Sequence, residues 1–426
     1  MGVKIAVIGG GSTYTPELIE GLVSRSDRLP VRELVLHDIA AERLDVVGSL
    51  ARRMLQRAGW PGELTLTDDL DTAITEADFV LIQLRVGGQA ARLVDETLPP
   101  GFGTIGQETT GAGGFAKALR TVPVVLGLAE RVAERAAPGA WIVDFTNPVG
   151  IVMQALLDDG YRAIGLCNVA IGVQRQFARR FGVEPERIGL EHTGLNHLSW
   201  ERAIRLDGTD VLPGLLDGDG TSLAADAGMP VEILQRLRAI PSYYLRYYYL
   251  FDEMLRHQRE ERTRAEEVME IESRLLDLYR DPNLTEKPAL LADRGGAFYS
   301  EAAAQLLASL HDDAGDVQVV NLRNDGALHE LPDDDVIEAP ARIGTIGAER
   351  IEQEPMADEI RDLVVRVKRY ERLAVRAARS GDRAEALEAL ASNPLVDGHA
   401  DPEPLLDALL EANRAHLPAF FGAAPA

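Results

Sequence analysis

Residues 4–19 read K-I-A-V-I-G-G-G-S-T-Y-T-P-E-L-I, and the organisation of the rest of the chain follows from them. Ile5, Ala6, Val7 and Ile8 form an uninterrupted apolar run of the length expected for a parallel strand buried on both faces. Gly9, Gly10 and Gly11 follow at once, and from Ser12 onward the spacing of Leu18, Ile19 and Leu22 is helical. Strand, glycine turn and helix form the first half of a dinucleotide-binding unit. In such a unit glycines permit a sharp turn and a close approach of backbone N–H groups to a pyrophosphate at the helix N-terminus. Gly9 and Gly11 occupy the first two positions of the usual fingerprint, and Tyr14 replaces the third glycine. The next apolar run, Glu33 to Leu36, delivers Asp38 at its end, where a carboxylate can accept hydrogen bonds from ribose hydroxyls. Gly9, Gly10, Gly11, Ser12 and Asp38 are therefore the candidate cofactor contacts.

Downstream, apolar strand-like runs alternate with helical spacing. Leu64–Thr67, Phe79–Leu84, Trp141–Phe145 and Ala163–Leu166 read as strands, and the segments around Leu119–Ala129 and Ile151–Leu157 as helices. Two glycine-rich stretches, at 85–88 and 101–114, read as loop. Alternation over about 190 residues predicts an open, mostly parallel, doubly wound sheet of Rossmann type. Ligands of such sheets bind beyond the carboxyl ends of the strands. Gly9, Asp38, Arg85, Asn147 and Cys167 all fall at expected strand ends, which groups them into one site.

The later half reads differently. Leu198–Leu206, residues 318–322 and 336–346 are strand-like. The Asp- and Gly-rich segment 207–230 reads as an excursion or mobile loop. Val268, Ile271, Leu275 and Leu278 mark one face of a long helix. The expected division is a cofactor domain over 1–195 and a mixed α+β, helix-rich catalytic domain over 196–426.

The 426 residues are 46% apolar and 26% charged, with a net charge of -24. That charge disfavours nucleic acid and anionic membrane as partners. One cysteine excludes an internal disulfide framework. With no charged-then-apolar leader in view, the expected compartment is the cytoplasm.

Cys167 and His197, the latter in G-L-N-H-L-S-W, offer a thiolate and an imidazole that could share a divalent metal. Read by themselves, a lone cysteine is as readily a small core residue and a lone histidine a structural one. Asn147 could meet a substrate hydroxyl or simply belong to the turn that Pro148 imposes. Arg85 could bind an anion or lie on the surface. Arg262 and Arg264 could clasp a phosphate or form part of a solvated charged face. Most of the tyrosines in S-Y-Y-L-R-Y-Y-Y, 242–249, read as a packed aromatic face.

Taken together, these stretches resemble glycoside hydrolase family 4, and within it the 6-phospho-β-glucosidases. The resemblance is carried by I-A-V-I-G-G-G-S-T-Y-T-P-E-L (5–18), I-G-Q-E-T-T-G-A-G-G-F (105–115), F-T-N-P-V-G (145–150), I-G-L-C-N-V (164–169), G-L-N-H-L-S (194–199), Y-L-R-Y-Y (244–248) and R-G-G-A-F-Y-S (294–300). It implies NAD and a divalent metal, manganese in most of the family, with Cys167 and His197 as metal ligands. The implied hydrolysis is redox-neutral: oxidation at C3, loss of the C2 proton to Tyr244, elimination, water addition and re-reduction. Such NAD-dependent enzymes are exceptions to two-carboxylate glycoside hydrolysis. Arg85, Asn147, Asn168 and Arg264 match substrate contacts, Arg264 at the 6-phosphate. Asn168 stands where α-specific members carry Asp, which favours the β anomer. Ala170 replaces a common proline beside the metal cysteine. The resemblance also implies a homodimer or homotetramer acting on a phosphorylated disaccharide or glucoside. The competing readings are an enzyme for unphosphorylated or α-linked glycosides, an NAD-dependent hydroxyacid dehydrogenase that leaves Cys167 unexplained, and a nicotinamide-binding regulator without turnover.

Overall fold

A computed structural model describes residues 2–422 except 219, 296 and 297. Six strands, β1 (Val3–Ile8), β2 (Val31–His37), β3 (Glu63–Thr67), β4 (Phe79–Ile82), β5 (Trp141–Asp144) and β6 (Ala163–Gly165), lie parallel in the order β3-β2-β1-β4-β5-β6. This is the expected doubly wound arrangement, and its topological switch point falls between β1 and β4. All six residues of β1 are buried, because helices cover both faces of the sheet.

A separate antiparallel sheet holds β7 (Ile188–Leu195), β8 (Leu198–Leu206), β9 (Thr209–Asp210) and β10 (Ile240–Pro241). The chain then returns. β11 (Asp316–Arg323), β12 (Val336–Gly344) and β13 (Gly347–Arg350) add antiparallel to the β6 edge and complete a nine-stranded sheet. Helix Tyr299–Asp312 packs on helix Thr15–Val23, and helix Asp358–Ser380 packs on helix Gly111–Arg135. The first contact is close: a Cβ on Gly21 would lie 2.8 Å from the Ser300 carbonyl oxygen.

Three local expectations differ from what is observed. Between the two stretches read as loop lies a helix (Gly88–Gly101), and the loop reading of 101–114 fails from Gly111, where the helix Gly111–Arg135 begins. The glycines there serve contact between helices: a Cβ on Gly113 would sit 2.4 Å from the carbonyl oxygens of both Asp95 and Gln107. Segment 207–230 holds β9 and two short helices, Leu212–Gly218 and Gly220–Ala227, because Leu212, Leu216, Leu223 and Ala224 turn inward at helical spacing despite the Asp and Gly between them. On helix Arg264–Tyr279 the buried face runs through Ala265, Val268, Glu272, Leu275 and Tyr279, whereas Leu278 is exposed.

Helix Gly111–Arg135 is long and apolar enough to cross a bilayer, yet it is mostly buried inside the molecule. Its buried Lys117 and Arg120 each meet a carboxylate, Glu108 at 2.7 Å and Asp95 at 2.9 Å.

Candidate active site

The turn after β1 is shaped by its neighbours. Gly9 has φ +91°, and a Cβ there would lie 2.6 Å from the Gln83 carbonyl oxygen just past β4. The N–H groups of Gly9 and Gly10 both donate to the His37 carbonyl, at 2.9 and 2.8 Å. Gly11 N–H donates to Asp38 Oδ2 at 2.9 Å, and Ala40 N–H to Asp38 Oδ1 at 2.9 Å. The glycine N–H groups are thus committed to holding the turn against β2, while the Asp38 oxygens retain acceptor capacity. Tyr14, at the third fingerprint position, lies under the Arg294 guanidinium, 4.5 Å from the ring centroid. Below the turn, Glu272 accepts hydrogen bonds from Thr13, Gln89, Arg43 and Arg294. Burial would raise its pKa, but Arg294 and Arg43 outweigh burial and hold it at about 2.

From this turn one cleft of about 1540 Å³ extends along the carboxyl edge of the sheet. Gly9, Ser12, Asp38, Arg85, Asn147, Asn168, Tyr244 and Arg264 line it, and Gly10 and Gly11 lie within the turn itself. Ile39, 90% exposed beside Asp38, is also on its wall.

Cys167 and His197 are buried beside the cleft. Cys167 comes two residues after β6; Asn168 follows as the N-cap of helix Val169–Phe181, and Ala170 is buried in that helix's first turn. The Val169 N–H and the side chains of Asn196 and Tyr299 lie around the thiol and favour its ionised form. Burial, with Glu338 nearby, pushes it well above the ordinary thiol range. His197 occupies the two-residue tip between β7 and β8 with φ +60°, a conformation that non-glycine residues rarely adopt. Its Nδ1 faces Thr109 Oγ1 at 2.8 Å, and its Nε2 is buried with no partner. Burial lowers the imidazole to about 4, so near neutrality the ring is uncharged, the form in which histidine ligates metals.

The Tyr244 ring stacks on the His197 ring, centroids 3.8 Å apart and planes at 11°. Tyr243 points outward, half exposed, with Arg246 over its face at 3.6 Å. Asn147 lies beside the Tyr299 hydroxyl, and its Oδ1 is buried without a partner. Cys167, His197, Tyr244 and Asn147 therefore form one cluster. Among the described residues no three His, Cys, Asp or Glu side chains gather as a metal site. A cation held here would have two protein donors and would keep open positions for a substrate. An orphaned neutral imidazole nitrogen and a thiol in one buried cluster fit that role.

Arg85 joins the cluster through Glu108, which also meets Lys117 at 2.7 Å and Arg92 at 3.5 Å. Burial would raise Glu108, but Arg85, Lys117 and Arg92 outweigh it and hold the carboxyl well below its ordinary range. Burial lowers Lys117 to about 7 against the pull of Glu108. Arg264 lines the same cleft but is exposed, paired with Glu267 at 2.7 Å and bonded to the Asp293 carbonyl at 2.7 Å. Arg262 pairs with Glu270 at 3.0 Å on the surface.

Comparison with known proteins places the chain. The model of the family 4 glycosyl hydrolases matches residues 4–183, and that of the family 4 glycosyl hydrolase C-terminal domain matches residues 192–396. The chain belongs to glycoside hydrolase family 4. It is 43% identical over 435 residues to a probable 6-phospho-β-glucosidase of Bacillus subtilis, covering 99% of this chain and 98% of that one. It is also similar to the solved 6-phospho-β-glucosidase of Thermotoga maritima with manganese, NAD+ and glucose-6-phosphate. There the identity is 36% and the TM-score 0.91, over 97% of this chain and 99% of that one. A phospho-α-glucosidase of Clostridium acetobutylicum is more distant, 29% identical over 97% of this chain and 98% of that one.

Within this family 4 chain, sequence reasoning missed Glu108, Thr109, Tyr299, Asn196 and Glu338. Glu108 and Thr109 lie in I-G-Q-E-T-T-G and Tyr299 in R-G-G-A-F-Y-S, both stretches singled out as motifs. A carboxylate among loop glycines was the available signal for Glu108. Glu338 carried none, since an acidic residue in an apolar strand reads as its solvent-facing position.

Proposed function

We propose that this chain hydrolyses 6-phospho-β-glucosides with NAD and a divalent metal, manganese in the first instance, by transient oxidation at C3. The observation that carries the reading is the cluster of buried Cys167, the unpartnered His197 Nε2 and half-buried Tyr244, opening onto the cleft that begins at the Gly9–Ser12 turn. When bound, the nicotinamide supplies a hydride acceptor and the cation supplies Lewis acidity toward sugar oxygens.

The chain's own residues divide the remaining work. The Gly9–Ser12 turn seats the dinucleotide and Asp38 accepts from its ribose. Cys167 and His197 hold the cation, and the neutral state of His197 lets it bind across the physiological range. Asn147, with Oδ1 unpartnered and Tyr299 beside it, orients a ring hydroxyl. Tyr244 removes the C2 proton. Burial raises its phenol well above the ordinary range, so a cation beside it is needed for it to act near neutrality. Arg85 and Asn168 contact the sugar, and Arg264 receives the 6-phosphate once its pairing with Glu267 is exchanged. Asn168 in place of an acid favours the β anomer, in keeping with identities of 43% and 36% to β-acting relatives against 29% to an α-acting one.

The test is hydrolysis of a chromogenic β-glucoside 6-phosphate with manganese, NAD and a thiol reductant, each then omitted in turn. Turnover that requires metal, NAD and the phosphate, with no net NADH, is expected. Net NADH formation would instead establish a dehydrogenase, and undiminished hydrolysis of the unphosphorylated glucoside would remove the phosphate from the substrate class.

A further inference from the structure

Cys167 and His197 reach the site on different sheets. Cys167 follows β6 of the nine-stranded sheet, and His197 rides on the tip of the β7–β8 hairpin. Their separation depends on how that tip is docked, and its left-handed backbone needs support from outside the hairpin.

The support is visible in the strand register. Ile8, Ile82, Asp144, Gly165, Asn321 and Glu338 lie side by side across β1, β4, β5, β6, β11 and β12. Glu338 is thus two strands from Gly165, which precedes Cys167 by two residues. It is 1% exposed and is not part of the cleft wall, so it has no direct use to a substrate. Its carboxylate gathers three partners: His192 Nε2 at 3.0 Å, Asn196 Nδ2 at 2.8 Å and Asn321 Nδ2 at 3.0 Å. His192 belongs to β7 and Asn196 to the tip itself, adjacent to His197. His192 Nδ1 faces Glu201 on β8 at 2.7 Å, and the Asn196 side chain also lies beside the Cys167 thiol. A buried carboxylate is costly unless its donors are in place, so this arrangement is specific to one docking of the hairpin.

We propose that Glu338 is a positioning residue that, through His192 and Asn196, docks the hairpin tip against Cys167 and sets the geometry of the Cys167–His197 pair. The proposal rests on the reading that this pair holds a divalent cation. Outer partners of metal ligands are commonly worth 10–100-fold in affinity.

The full chain is titrated with Co2+, following heat and the near-ultraviolet thiolate-to-metal absorption, and NAD affinity is measured alongside. Wild type shows the thiolate band and Cys167→Ser lacks it. Glu338→Gln is expected to bind Co2+ about 10- to 100-fold more weakly with a shifted band, at unchanged NAD affinity. Wild-type affinity and band in Glu338→Gln would overturn the positioning role, as would parallel loss of NAD and Co2+ binding. Absence of the band from wild type would overturn the metal pair itself, which is a different failure. Should Glu338→Gln not fold, Asn196→Ala, which removes the tip's bond to Glu338 together with its approach to the Cys167 thiol, is judged by the same criteria.

Discussion

Tyr244 is half-buried against the His197 ring, and Cys167 and Glu108 add to burial in raising its phenol. Its proposed use as a base therefore depends on charge brought in by a ligand. Tyr244→Phe is expected to suppress exchange of the substrate C2 hydrogen with deuterated solvent and to lower turnover by ~10²–10⁴-fold. Metal and NAD affinity should be retained; undiminished exchange would move the base elsewhere. Glu272 supports a pH prediction. Its pKa falls from 4.5 to about 2 on folding, so its contribution to stability is full above the unfolded value and is lost as pH drops through the folded one. That shift corresponds to ~3 kcal/mol. Glu272→Gln should lower the denaturant midpoint at neutral pH and flatten its fall between about pH 4.5 and 2; an unchanged acid limb would refute this account. Asp38 was legible because strand ends announce themselves. Tyr299 was not, because its partners Asn147 and Cys167 are more than 130 residues away.

At the scale of elements, apolar periodicity located β1 to β6 with end shifts of a few residues. It left 89–100 unassigned and misread 111–114 and 207–230, where Gly, Pro and Asp dominate the local signal while burial of a few apolar side chains sustains helix. Glycine in G-A-G-G-F marks contact between helices. Gly113→Ala forces its Cβ against two backbone carbonyls that cannot rotate away, so it should cost ~1–3 kcal/mol by the overpacking route, seen as a lowered Tm. Gly127→Ala, with nothing within 4 Å of the new Cβ on the same helix, should be neutral or mildly stabilising and serves as its control.

For the whole molecule, β11 to β13 extend the sheet begun by the first six strands, and the main apolar core contains residues from both halves of the chain. Calorimetry of the full chain is accordingly expected to show one cooperative transition; two resolved transitions would mean that the halves unfold independently. Sequence by itself determined the parallel sheet, the dinucleotide turn and the residues at strand ends. Those features are encoded in runs of neighbouring residues and repeat with the period of the element. Only the tertiary structure decided that the later strands join the first sheet, that the glycine N–H groups are spent on β2, and that Tyr244 rather than Tyr243 faces His197. It alone also revealed Glu338 beneath the hairpin tip. These depend on contacts between residues distant in the chain, whose pairing follows from packing and not from local pattern.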